Sequence, residues 1–359
     1  MDIDFLIVGQ GLAGSLLAFE LIQRNVRVMV VDDGRENASQ VAAGLINPVT
    51  GMRLVKSDRV DDLLPEAKVL YSRLSKVFAR NFFVEKTMFR LLRNEAEVAQ
   101  CQKRLNTPEY GAYLSKIHPR ESFAYPFQDC RRLLEQKQTG YLNTRPLLDA
   151  LRDFFIGIDS YRNLTFDFRG AQVVESFYRQ GLKPKRIVFC EGYRLIHNPW
   201  FSWLPLQAVK GEILTIESDF ALPEQIINFG NWLIPIGQNR CRTGATFDRH
   251  CTDTSITEQA KNQMIQSLSK IDPRFESKTH IVDQQANIRP CTPDRMPFLG
   301  RHPANPKLWV FNGFGAKGSL QIPWCSRHLA DALLNGAGLD NHCNIQRYYE
   351  THFLGSRSA

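Results

Sequence analysis

The sequence holds eight cysteines and eight histidines, yet no C-x-x-C pair and no H-x-x-x-H or H-x-H arrangement. Zinc sites depend on such spacings, so no metal and no histidine nucleophile is expected. No apolar run approaches the roughly 18 residues that span a bilayer, and no basic segment with a cleavage site precedes the first strand-like stretch, "DFLIVG". The expectation is a cytoplasmic protein with reduced thiols and no stable membrane insertion. Internal repeats, low-complexity tracts and a tether-like linker are also missing. That points to two domains interleaved along the chain instead of joined end to end.

What is present is an ordinary globular balance: 359 residues, 43% hydrophobic and 23% charged. Such a chain buries a sizeable core without help from metals or disulfides. The formal net charge is +8. It favours an anionic partner (nucleic acid, acidic lipid or a carboxylate substrate), or it reflects a mildly basic surface and nothing more.

The opening is the most legible stretch. "FLIVG" suits a strand buried on both faces. In "LAGSLLAFELIQRN", Leu12, Leu16, Leu17, Leu21 and Ile22 recur at helical spacing, and "VRVMVVDD" is a second buried strand. Between first strand and helix lie Gly9, Gly11 and Gly14, spaced G-x-G-x-x-G. The first glycine permits a tight turn, the second lets backbone approach a pyrophosphate, and the third lets helix pack on strand. The helix N-terminus then offers free N–H groups to the phosphates. Asp32 follows Gly14 by 18 residues, at the end of the second strand. Its carboxylate suits a ribose diol and repels a 2′-phosphate, which disfavours NADP. The alternative is a packed turn with no ligand; for Asp33 the alternative is a solvated strand end.

Further along, 61–80 reads as helix, 82–92 as an alternating strand, and 140–155 as a helix capped by Asn143 or Thr144 with Pro146 in its first turn. Residues 186–192 read as a buried strand, about 206–250 as several strands, and 255–272 as helix. "KLWVFNGFGAKG" is strand and glycine turn, and the following helix ends at Gly336. Three distant segments, "ENASQVAAGLINPVTG", "NIRPCTPDRMPFLG" and "NGFGAKGS", are small or glycine-containing. Segments able to close on one extended ligand suit FAD better than NAD.

These stretches, with "LPLQAVKGEIL" and "GATFDR", resemble in order the D-amino-acid oxidase superfamily of flavoproteins, which includes glycine oxidase, sarcosine oxidase and D-amino-acid dehydrogenases. The likeness spans nearly the whole chain, and the R-P-x-T-P-D motif is its most specific part. It implies an α/β fold: a Rossmann-type FAD-binding domain (1–80, 140–205 and 286–359) with an inserted, mainly antiparallel-sheet substrate domain (81–139 and 206–285). It also implies flavin-dependent oxidation of an amine.

The FAD-binding residues implied are Gly9, Gly11, Leu12, Ala13 and Gly14, then Asp32 and Asp33. Ser39, Gln40, Ala43, Gly44 and Leu45 follow in the small-residue segment. Cys190 and Gly192 close the "IVFCEG" strand, and Gly313, Phe314, Gly315, Ala316, Lys317 and Gly318 form the second glycine turn. Arg289 matches the arginine that grips the substrate carboxylate in glycine oxidase-like relatives; a structural ion pair with Asp294 is the alternative. Ala316 stands where glycine oxidase has a second arginine, with Lys317 beside it facing the flavin pyrimidine or solvent. Arg242 falls near the lysine that sarcosine oxidase-like relatives place beside the flavin, where a cation stabilises superoxide; the alternative is a solvated strand arginine. Trp232, Phe247 and Phe314 are aromatic walls for the substrate, or ordinary core. The cysteine that tethers flavin in sarcosine oxidase-like enzymes falls at Asn287, not Cys291, so FAD is expected to be non-covalent.

The substrate expected is a small amine or amino acid, and the electron acceptor oxygen or a quinone. "LIPIGQNRCRTGATFDRHCTDTSITEQAKNQMIQSL" also resembles the oxidase half of the bifunctional enzyme that trims carboxymethylaminomethyl-uridine in tRNA, which makes tRNA an alternative substrate. A non-catalytic flavoprotein, or a reductase scaffold using NAD, is the remaining alternative.

Overall fold

In the computed structural model, residues 2–51, 53–164 and 181–355 are described. Six strands form the first sheet in the order Tyr161–Asn163, Val28–Asp32, Asp2–Val8, Lys183–Phe189, Asn305–Asn312 and Phe298–His302. The first five run parallel, and the last is antiparallel to its neighbour. Both faces are covered, so alternate residues enter different cores. Phe5, Ile7, Val28 and Val30 pack under the helices Leu12–Ile22, Val60–Val77 and Gly318–Asn335. Leu6, Val8, Met29 and Val31 pack on the other side with Phe201 and Leu204. This double burial explains why the strands read as continuous apolar runs.

The second sheet has eight strands, ordered Thr279–Cys291, Gln207–Ser218, Arg240–Gly244, Trp232–Pro235, Ile226–Asn228, Met88–Leu92, Arg132–Gln136 and Leu114–Pro119. Register fixes its two faces. Leu214, Leu233, Ile227 and Phe89 lie on one row, buried under the helix Glu258–Ser269. The adjacent row, Ile213–Gly244–Trp232–Asn228–Arg90, therefore points the opposite way. The edge strand Thr279–Cys291 adds Asn287, paired with Gly211, to that second face. It runs through residue 286, so one strand carries residues from both sides of the boundary expected there.

Two local expectations change. The stretch 82–92 is not one strand: Phe83–Glu85 joins a small sheet with Gly140–Leu142 and Leu45–Ile46, while Met88–Leu92 joins the large sheet. The helix Thr144–Gly157 starts after Asn143, but no side chain caps it; the Thr144 hydroxyl donates instead to the Ala42 carbonyl at 3.3 Å. The helix Gly318–Asn335 ends at Gly336, left-handed at φ 67°, as its position after the apolar stripe requires. All eight cysteines are free, and no helix among the described residues is long and apolar enough to cross a membrane.

Candidate active site

The strand Asp2–Val8 lies between Val28–Asp32 and Lys183–Phe189, so the chain leaves it at the point where the parallel sheet changes direction. Ligand crevices in such sheets open there, beyond the carboxyl ends of the strands. Gly9 sits at φ 102°, and a Cβ on it would stand 2.5 Å from the Cys190 carbonyl oxygen. A Cβ on Gly14 would stand 1.9 Å from the Gly9 carbonyl oxygen. These two glycines close the turn and seat the helix; Gly11 is its N-cap residue. The Asp32 carboxylate accepts from the Gln10 backbone N–H at 2.7 Å and the Gly34 N–H at 2.8 Å, which pins it at the strand end. The Leu12 N–H donates to Ser39 Oγ at 3.0 Å, joining the helix N-terminus to the segment 37–45. Asn37 and Gln40 form a capping box there, the Gln40 side-chain Oε1 accepting from the Asn37 N–H at 3.0 Å.

From this turn a cavity of about 880 Å³ extends to the Ile213–Gly244–Trp232–Asn228–Arg90 row of the large sheet. That volume lies near the upper end of ordinary ligand sites. Gly9, Gly11, Leu12, Ala13, Asp32 and Asp33 line its first part, followed by Ser39, Ala43, Gly44, Leu45, Cys190 and Gly192. Phe314, Gly315, Ala316, Lys317 and Gly318 line it from the second glycine turn, which rests on the edge strand through the Gly315 N–H to Pro290 carbonyl bond at 2.9 Å. Trp232 and Arg289 line it from the large sheet.

Five expected residues lie elsewhere. Gly14 and Gly313 pack backbone behind the wall, and Gln40 is engaged in its cap. Arg242 lies on the cavity-facing side of its strand, but where segment 41–45 covers the sheet. Its guanidinium donates to the Val41 carbonyl at 2.7 Å and to that of Ala42 at 3.1 Å. Phe247 is 59% exposed and stands beside the cavity.

Arg289 is half-buried in the wall. Its Nη1 donates to the Thr246 carbonyl at 3.2 Å, and its Cζ lies 5.9 Å from the centre of the Phe247 ring. Burial lowers its pKa, opposed by the nearby Cys291 thiol. The Asp294 pairing does not form, because that carboxylate is bound by Arg347 at 2.7 Å. Lys317 Nζ donates to Ser57 Oγ at 3.2 Å; burial, aided by Arg295, lowers its pKa. Asp33 binds Arg194 at 2.5 Å.

Sequence reading missed Glu191, Arg194, Asn37, Arg90 and Asn228, all of which line the cavity. Burial pushes the Glu191 carboxyl up to about 7, against the opposing hydrogen bond from Asn198 and the charge of Arg194. Arg90 Nη1 donates to the Gly51 carbonyl at 2.7 Å. A lone cation inside the apolar run "MFRLL" was the available signal. Asn37 Nδ2 is buried without a hydrogen-bond partner.

Comparison with known proteins places these features in context. A family model described as FAD dependent oxidoreductase, DAO, matches residues 4–332. The tRNA 5-methylaminomethyl-2-thiouridine biosynthesis bifunctional protein MnmC of Marinobacter nauticus is 22% identical over 91% of this chain and 55% of its own length. The glycine oxidase of Pseudomonas putida is 29% identical over 37% of this chain and 36% of its own. The chain thus spans about half the length of the first of these relatives. Among solved structures, glycine oxidase from Geobacillus kaustophilus superposes with a TM-score of 0.79 at 19% identity, covering 97% of this chain and 98% of that one.

Proposed function

The chain belongs to the DAO family of FAD-dependent oxidoreductases, and we propose that it oxidises the C–N bond of a small amine or amino acid whose carboxylate Arg289 holds. The observation that carries this reading is the Arg289 guanidinium, facing the cavity with no carboxylate partner among the described residues. A planar fork in that state matches a carboxylate.

The residues fit FAD. The glycine turn leaves backbone room for a pyrophosphate, Asp32 is fixed as an acceptor for ribose hydroxyls, and Asn37 leaves a buried donor unsatisfied beside them. FAD, when bound, supplies the acceptor for the hydride that leaves the carbon bearing the amine. The chain supplies orientation. Arg289 fixes the carboxylate end, Trp232 and Phe314 give the cavity apolar walls, and Phe247 closes its rim. The product imine hydrolyses in water. In this reading Arg242 holds the 41–45 segment in place, and residues 1–80, 140–205 and 286–359 form the FAD-binding part.

Anaerobic titration of the yellow holoprotein with glycine, N-methylglycine and a set of D- and L-amino acids tests the proposal. Bleaching of the flavin absorbance is expected from at least one; a panel that leaves the spectrum unchanged overturns it. Oxygen consumption against quinone or dye reduction then identifies the acceptor.

The length of the sequence alignments supports a second reading. A relative named for tRNA modification aligns with 91% of the chain, the P. putida glycine oxidase with 37%. A carboxymethylamino group on a modified uridine is itself an N-substituted glycine, so the same C–N oxidation serves.

A further inference from the structure

The strand Gln207–Ser218 presents Gly211 to Arg289 and the residues on either side of it, Lys210 and Glu212, to the opposite face. Both are buried, and Lys210 is the one buried lysine among the described residues. The Glu212 carboxylate accepts from the Thr257 N–H at 2.9 Å, the Thr257 hydroxyl at 2.8 Å and the Gln284 amide at 2.8 Å. Lys210 turns instead to the segment that follows Phe247. Its Nζ lies 2.9 Å from Asp253 Oδ1 and 3.7 Å from Cys251 Sγ, and the Cys251 thiol donates to Asp253 Oδ2 at 2.8 Å. A thiol, a buried ammonium and a carboxylate thus close a triangle, and none of the three lines the cavity.

The same segment is tied to the strand on both sides of Gly211. Lys210 and Asp248 exchange two backbone bonds, at 2.8 and 3.0 Å. The Glu212 N–H donates to Thr246 Oγ1 at 2.8 Å, and the Thr246 N–H to the Glu212 carbonyl at 3.2 Å. Thr246 in turn offers its carbonyl to Arg289. Residues 246–253 therefore connect the triangle to the guanidinium and to Phe247.

Five of the eight thiols are buried; Cys130, Cys251 and Cys291 are half-buried. Oxidation by peroxide starts from an accessible thiol that gives up its proton. Burial pushes the Cys130 thiol up to about 11 and raises that of Cys291 against the charge of Arg289. Cys251 differs in its surroundings: a carboxylate is placed to take the thiol proton, and an ammonium stands beside the sulfur.

We propose that Cys251 is a site of reversible oxidation by a hydroperoxide, its sulfenic acid held by Lys210 and Asp253, and that this state loosens the segment carrying Thr246 and Phe247. The sulfur attacks one peroxide oxygen. An S–O bond forms as the O–O bond breaks, the thiol proton passes by way of Asp253 to the departing hydroxide, and water leaves. The sulfur loses two electrons and the peroxide gains them. The new hydroxyl donates to Asp253 and accepts from Lys210, so it competes with their 2.9 Å pair. Amine oxidation with oxygen as acceptor releases this oxidant beside the segment; added hydrogen peroxide serves equally.

The FAD-loaded protein is treated with a few equivalents of hydrogen peroxide, and sulfenic acid is trapped with dimedone and located by peptide mass spectrometry. Label is expected on Cys251 before Cys130 and Cys291. Lys210→Met loses that preference. Asp253→Asn, a change on the exposed side of the triangle, loses it too and leaves the buried position filled. Hydrogen exchange is followed in parallel without dimedone. The Lys210 and Asp248 amides exchange faster after peroxide in wild type, return to their starting rates with dithiothreitol, and do not respond in Cys251→Ser. First labelling at another cysteine, an unaltered preference in Asp253→Asn, or exchange that ignores oxidation each overturns the proposal. Neither readout uses a substrate, so a failure here leaves the amine reading standing.

Discussion

The guanidinium of Arg289 occupies the space that a side chain on Gly211 would need: a Cβ built there stands 2.0 Å from Arg289 Nη2 and 2.3 Å from its Cζ. Gly211 pairs with Asn287 across the two strands, and Arg289, two residues on, leans back over it. The glycine lets the fork lie flat on its neighbour, so the position of the carboxylate grip is set by a residue with no side chain.

Gly211→Ala therefore displaces Arg289 without touching the FAD turn. KM for a carboxylate substrate rises about 10- to 100-fold, the equivalent of losing a charged hydrogen bond of about 1.5–3 kcal/mol. Steady-state kinetics and the flavin spectrum are measured together. An unaltered KM in fully yellow protein would show that Arg289 is not the grip.

Glu191 makes stability depend on pH. Its carboxyl titrates at about 7 in the fold and near about 4.3 in an unfolded chain. Between those values the native state keeps a proton that the unfolded state has lost, so stability falls as pH rises through this window and levels off above it. Cofactor-free wild type is expected to lose more in Tm between pH 5 and pH 8 than Glu191→Gln. Parallel losses in the two proteins refute the assignment.

Arg242→Met removes the guanidinium donor from the Val41 carbonyl and leaves that of Ala42 with the Thr144 hydroxyl alone. A lower Tm is expected, on the scale of about 1.5–3 kcal/mol per lost charged bond, with the reoxidation rate of the reduced protein by oxygen unchanged. A slowed reoxidation with unaltered Tm restores the cation role expected from sequence.

The flavin is expected to leave with the solvent when the protein is precipitated by acid. Asn287 lines the cavity, and Cys291 does not; the Cys291 thiol lies against Gly315, 3.4 Å from where its Cβ would be. Yellow colour retained in a washed pellet is the contrary result.

The first glycine turn was legible because its physics is local. Strand, turn, helix and acidic residue follow within 32 positions, and each has its own signal. The row Ile213–Gly244–Trp232–Asn228–Arg90 was not. Its members come from five strands, and alternation alone does not say which face of a strand meets a cavity. Trp232 was identified as an aromatic; Arg90 and Asn228 need the register. Arg242 shows the same limit: its side of the strand is the cavity side, but a covering segment from elsewhere in the chain meets it first. Glu191 stands next to Gly192, within a motif that was recognised, yet its raised pKa depends on burial beneath neighbouring segments, against the hydrogen bond from Asn198, which no local pattern carries.

The interleaving of the parallel sheet has a consequence for biogenesis. Its order places Asn305–Asn312 beside Lys183–Phe189, and the turn that follows, Gly315 to Gly318, lines the cavity. A nascent polypeptide must emerge from the ribosome beyond Gly318 before this wall exists. Flavin capture therefore waits on a segment made some three hundred residues after the first glycine turn.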